Sequence, residues 1–244
     1  MTGTAAVAAP SVFSGGANVI AVGVLLAEFG MFRQALLRDQ VRLYAAQSAL
    51  ISALAVLVAA ARHLPELYAL AGLSFGLKVV LVPVVLGRLL RGLGTRGTGV
   101  RGTGVRGTGR YQAEIAGSGS LGLAGMVLVA IAVAAFGFFS VAALGIRSPV
   151  LPATALAISV AVALVAFVLM IMRRDVASQA IGLFSLENGV SLTALVVAAG
   201  MPLILEVIFL FDLLGVVVVF GLLIRVHHGR ADSLSTADLT SLRG

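Results

Sequence analysis

RRDVASQAIGLFSLENGVSLTALVVAAGMPLILEVIFLFDLLGVVVVFGLLIRVHHGR, from Arg173 to Arg230, holds two long apolar runs hinged at Gly200-Met201-Pro202. Each run is long enough to cross a hydrocarbon core of roughly 30 Å as a helix. Neither alternates polar and apolar residues as a barrel strand would. The segment therefore reads as two transmembrane helices, with Glu187, Glu206 and Asp212 set inside them.

The rest of the chain follows the same pattern. Its residues are 60% hydrophobic and 11% charged, with a mean hydropathy of +1.11, well outside the balance of an ordinary soluble domain. Further apolar runs lie at about 12–32, 43–61, 67–89, 121–144 and 150–172, and the opening stretch adds 176–199 and 203–225. The expected fold is all-α, a polytopic membrane protein with a bundle of about seven transmembrane helices. Residues 12–90 hold helices one to three, 91–119 an Arg/Gly-rich loop, 120–172 helices four and five, 173–226 helices six and seven, and 227–244 a polar tail. A turn is expected at Arg62-His63-Leu64-Pro65, since proline opens a helix but does not continue one. Pro83 is expected to kink the third helix by removing the backbone bond to Val79. Gly122, Gly125 and the alanine-rich turns suit close helix approach.

The formal net charge of +7 is explained by topology. With the N-terminus outside, Arg33, Arg38, Arg42, the arginines from Arg88 to Arg110, Arg173, Arg174, Arg225, Arg230 and Arg243 fall inside, and only Arg62 and Arg147 fall outside. This is the arrangement the positive-inside rule demands, and it requires no nucleic-acid partner. The repeat RGTGV from Arg96 to Arg110 contains Gly97-x-Gly99-x-x-Gly102. That dinucleotide fingerprint works only between a strand and a helix, so here it is a by-product of the repeat. A flexible cytoplasmic linker is the better reading.

Ionisable residues inside the spans carry the functional signal. A charge at mid-membrane costs roughly 2.5 to 3.5 kcal/mol on insertion scales, so each must find a partner, water or a proton. Lys78, Glu187 and Asp212 lie close to the middle of their spans and could form one polar belt. Glu206 precedes Asp212 by about 9 Å along the helix and forms an outer station. One lysine facing three carboxylates leaves at least one acid without a cation from this chain, and such an acid is suited to take and release a proton. Gln47, Gln179 and Asn188 could carry hydrogen bonds between these sites. Glu28 reads as an interfacial partner of Arg33. No cysteine is present, and His63, His227 and His228 sit at helix ends or in loops, so the chain offers little to hold nickel, haem or iron-sulfur clusters.

At Gln179-x-x-Gly182 through Leu186-Glu187-Asn188-Gly189, then Met201-Pro202 and Glu206 to Asp212, the chain resembles hydrogenase-4 component E. That family comprises membrane subunits of formate hydrogenlyase-type and related group 4 [NiFe] hydrogenases. Tyr44-x-x-Gln47-Ser48 and Lys78-Val79-x-x-x-x-Pro83 extend the likeness. The last two spans are also similar to the K subunit of respiratory complex I and the C subunit of Mrp-type antiporters, although Glu187 stands about one turn beyond the acid of the K subunit's G-L-E. The resemblance implies a bacterial or archaeal cell-membrane subunit that is not an enzyme by itself. Lys78, Glu187, Glu206 and Asp212 would serve proton or cation translocation. Antiporter-like membrane subunits and hydrogenase-like peripheral subunits would be its partners, and these would hold the nickel-iron and iron-sulfur centres. The alternatives are a structural membrane anchor for a peripheral enzyme, or a standalone secondary transporter. Against the transporter, no repeated halves are legible.

Overall fold

Apolar runs of this length leave each backbone N–H and C=O to be satisfied within its own helix, because lipid supplies no partner. The computed structural model describes residues 12–34, 36–88, 123–145, 151–173, 175–197 and 218. All the elements among them are helical, and six are long and apolar enough to cross a membrane. The expected seventh span, with Glu206 and Asp212, lies outside the described residues apart from Val218, as do the Arg-Gly repeat and the tail.

In chain order the helices are α1 (Val12–Arg33), α2 (Leu37–Arg62), α3 (Pro65–Arg88), α4 (Leu123–Leu144), α5 (Ala153–Met172) and α6 (Val176–Val197). Helix α2 begins before its apolar run does. Its first turn is the polar Leu37-Arg38-Asp39, where Asp39 meets the positive end of the helix dipole. It ends where expected. His63 takes the left-handed conformation (φ 55°, ψ 43°) and its N–H bonds to the Ala59 carbonyl, closing the helix as a C-terminal cap does. Pro65 then opens α3.

The discontinuity expected around Pro83 takes the form of a π-helical stretch, Phe75–Leu81, in which the Val82 N–H donates to the Leu77 carbonyl five residues back. Proline cannot donate to the carbonyl four residues before it, and a wider turn upstream is one way to accommodate that loss. Close helix approach is made on α4 by Gly137, where a Cβ would lie 3.1 Å from the Ala161 Cα of α5. On α6 it is made by Gly189, where a Cβ would lie 2.8 Å from the Ala163 backbone nitrogen.

Helices α1–α2 and α5–α6 form two hairpins that pack against each other. Helices α2 and α6 meet directly along their length. The rings of Tyr44 and Phe184 lie 5.8 Å apart between centroids, and Asn188 Nδ2 donates to Ser48 Oγ at 2.8 Å. Helices α2 and α6 thus run side by side in the same direction.

The hairpin loops are fastened to each other at one end of the bundle. The buried Arg173 donates through Nη2 to the carbonyls of Phe32 (2.8 Å) and Gln34 (3.2 Å). Ser178 Oγ donates to Gln40 Oε1, and Gln40 Nε2 to the Gln34 carbonyl, both at 3.0 Å. Asp175 caps α6 by accepting the Ser178 N–H at 2.6 Å. Burial lowers the pKa of Arg173, partly offset by Asp175. Two apolar clusters form the core. One gathers Ala17, Val24, Leu54, Val58, Leu70, Val162 and Leu192; the other gathers Phe32, Tyr44, Val82, Val165, Leu169 and Phe184 nearer the fastened loops. Polar side chains sit where the two clusters meet.

Candidate functional site

Lys78 projects from the π-helical stretch of α3 and is 2% exposed. Its Nζ lies 2.7 Å from Glu187 Oε1 and donates to Ser191 Oγ at 2.9 Å. Glu187 and Ser191 are four residues apart on α6, hence stacked on one face one turn from each other. The lysine is therefore gripped by a carboxylate and a hydroxyl from the same helix. A cavity of about 20 Å³ adjoins the pair, lined in part by Ser52, Ser74, Lys78, Glu187 and Ser191. That is room for roughly one water molecule. The buried Ser52 Oγ has no hydrogen-bond partner among the described residues.

A second polar group lies toward the fastened loops. Glu28 of α1 is fully buried. Its Oε2 accepts from Gln47 Nε2 at 2.7 Å and is hydrogen-bonded to Ser185 Oγ. Ser185 Oγ is also 3.0 Å from Gln47 Oε1, and Asn188 Nδ2 donates to that same oxygen at 3.0 Å and to Ser48 Oγ. Five side chains from α1, α2 and α6 thus form one continuous network. Tyr44, buried beside it, lies within electrostatic reach of Glu187, so the two polar groups are neighbours within the bundle.

No family model matches this chain, and no solved structure does. Over 75 residues it is 41% identical to "Uncharacterized protein Rv0085" of Mycobacterium tuberculosis, a match covering 30% of this chain. The match spans 34% of that relative's length.

Of the residues singled out from sequence, the structure joins Lys78 to Glu187, and Gln47 to Asn188. Gln179 stands apart from both groups, with Nε2 donating to the Arg173 carbonyl at 3.0 Å in the fastened loops. Glu206 and Asp212 lie outside the described residues. Glu28 is a correction: it is buried on Gln47 and Ser185, while Arg33 is exposed. Five residues of α-helix turn a side chain by about 140°, so Glu28 and Arg33 leave α1 on different faces. That rotation was the available signal. Ser185 and Ser191 carry no signal of their own in the sequence, because serines are ordinary in membrane helices, where they bond across to neighbours.

Proposed function

We propose that this chain is a non-catalytic subunit of a membrane-bound hydrogenase or formate hydrogenlyase-type complex, and that the Lys78–Glu187 pair lies on its ion path. The observation that carries the reading is the pair itself: a 2.7 Å contact between opposite charges inside the bundle, beside a cavity that admits a water. Ionisable residues within membrane helices are costly to insert, pair inside the bundle and mark ion or proton pathways. The resemblance in Leu186-Glu187-Asn188-Gly189 and Lys78-Val79 supplies the type of complex.

A proton delivered to Glu187 neutralises it and leaves Lys78 held by Ser191 alone. An unmatched buried cation is costly, so proton loss from Glu187 or a swing of Lys78 restores balance. The pair in this way ties proton occupancy to the position of a charge. Partner subunits supply the nickel-iron and iron-sulfur chemistry, and antiporter-like subunits continue the path. On this reading the N-terminus lies outside the cell membrane, the side the arginine distribution favours, and Glu206 and Asp212 serve the same path.

The test is Glu187→Gln in the assembled complex, with redox turnover and proton translocation measured together in membrane vesicles. Retained assembly with translocation lost is the expected result; unchanged translocation refutes the reading. One observation favours a second reading, a standalone secondary transporter. Helices α2 and α6 run parallel and, with α1, enclose a polar network with the Lys78–Glu187 pair beside it, an interior that suits ion transport by one chain. Ion transport by the purified chain alone in liposomes would select that reading.

A further inference from the structure

Counting hydrogens in the network around Glu28 reveals what the distances alone do not. A serine hydroxyl has one hydrogen to donate. Ser185 Oγ stands at hydrogen-bonding distance from two oxygens, Glu28 Oε2 and Gln47 Oε1. Gln47 Oε1 already accepts from Asn188 Nδ2, whose other hydrogen goes to Ser48. Gln47 Nε2 donates to Glu28 and, at 3.5 Å, toward the Val24 carbonyl. If Glu28 is ionised, Ser185 can satisfy only one of its two neighbours, and the other contact sets two acceptors face to face.

A proton on Glu28 Oε2 removes the conflict. Glu28 then donates to Ser185, Ser185 donates to Gln47, and each close contact contains one hydrogen. Glu28 Oε1, which has no hydrogen-bond partner among the described residues, becomes the carbonyl oxygen of a neutral acid.

The charges around it agree. Helices α4 and α5 carry no ionisable residue. Lys78 of α3 is engaged with Glu187 of α6, and Arg173 is bonded to the carbonyls of Phe32 and Gln34. On α2 the nearby groups are Tyr44 and Gln47, and the α2 arginines lie toward its ends. Among the described residues no cation reaches Glu28.

We propose that Glu28 is a second proton-binding station, built from α1 and held by Gln47 and Ser185 between the Lys78–Glu187 pair and the fastened loops. Its place on a path rests on the function proposed above. Its ability to bind a proton does not.

Infrared spectroscopy of the full-length protein in lipid nanodiscs tests it, with the protein labelled with 13C-glutamate so that glutamic acid bands are identified by their isotope shift. The wild type is expected to show the carbonyl stretch of a protonated glutamic acid, and Glu28→Gln to lose it while Glu187→Gln keeps it. A glutamic acid band unchanged by Glu28→Gln, or no such band in the wild type, overturns the proposal. Should Glu28→Gln fail to fold, Ser185→Ala serves instead. Removing the acceptor of the Glu28 hydroxyl must shift the band, and an unshifted band overturns the proposal equally. Normal proton translocation in Glu187→Gln would remove the proposed function and leave this inference standing.

Discussion

The Lys78–Glu187 pair and the Glu28 network solve the same problem in different ways. Both put a carboxyl group among apolar helices. At Glu187 a cation 2.7 Å away balances the charge; at Glu28 the neighbours are an amide and a hydroxyl. The difference teaches that a buried acid in this chain is matched either by charge or by a proton. An ion pair resists losing one member, because the survivor is left charged in a medium that cannot solvate it. A neutral hydrogen-bonded cluster loses only the bonds of the group removed.

The largest expected effect comes from splitting the pair. Lys78→Met should destabilise the protein by about 3 to 5 kcal/mol, whereas Lys78→Met combined with Glu187→Leu should cost far less, since both charges leave together. Reversible unfolding in mixed micelles measures both, and a double variant as unstable as the single one would break the comparison. Next comes Glu28→Leu, which strands the Gln47 Nε2 donor and takes from Ser185 the hydroxyl that donates to it, and should cost about 1 to 3 kcal/mol; Glu28→Gln, of similar shape, should cost less. If Glu28→Gln proves as damaging as Lys78→Met in the same assay, Glu28 is charged and the contrast fails.

Ser48→Ala should cost about 1 kcal/mol by taking one acceptor from Asn188, a loss the unfolding midpoint registers. The smallest effect is expected at Arg42, whose Nη1 lies 3.1 Å from Asp39 Oδ1 with the arginine side chain 65% exposed. Arg42→Ala should change stability by less than about 1 kcal/mol, because an exposed pair is already solvated. Similar distances with such different consequences would show that burial, more than contact length, sets the strength of these pairs.

Much of the fold is legible in the residues. Apolar runs mark the helices, Pro65 and His63 mark the turn after α2, and the equal depth of Lys78 and Glu187 brings them within reach. The site is less legible. Glu28 is drawn toward Arg33 when the chain is read along a line, though helix rotation separates them. Gln179 looks equivalent to Gln47, yet it sits one turn into α6 and bonds the Arg173 carbonyl.

Sequence by itself determined that this chain forms membrane-spanning helices and that Lys78 and Glu187 must be matched inside them, because hydrocarbon leaves a backbone only its own partners and a charge very few. Tertiary structure alone decided that Lys78 meets Glu187 and Ser191, that Glu28 joins Gln47 and Ser185, and that α2 and α6 run side by side in the same direction. Those outcomes depend on how each helix is turned about its axis and which neighbour it packs against. Closely fitted contacts such as Gly189 against Ala163 settle that rotation, and no periodicity within a single helix does.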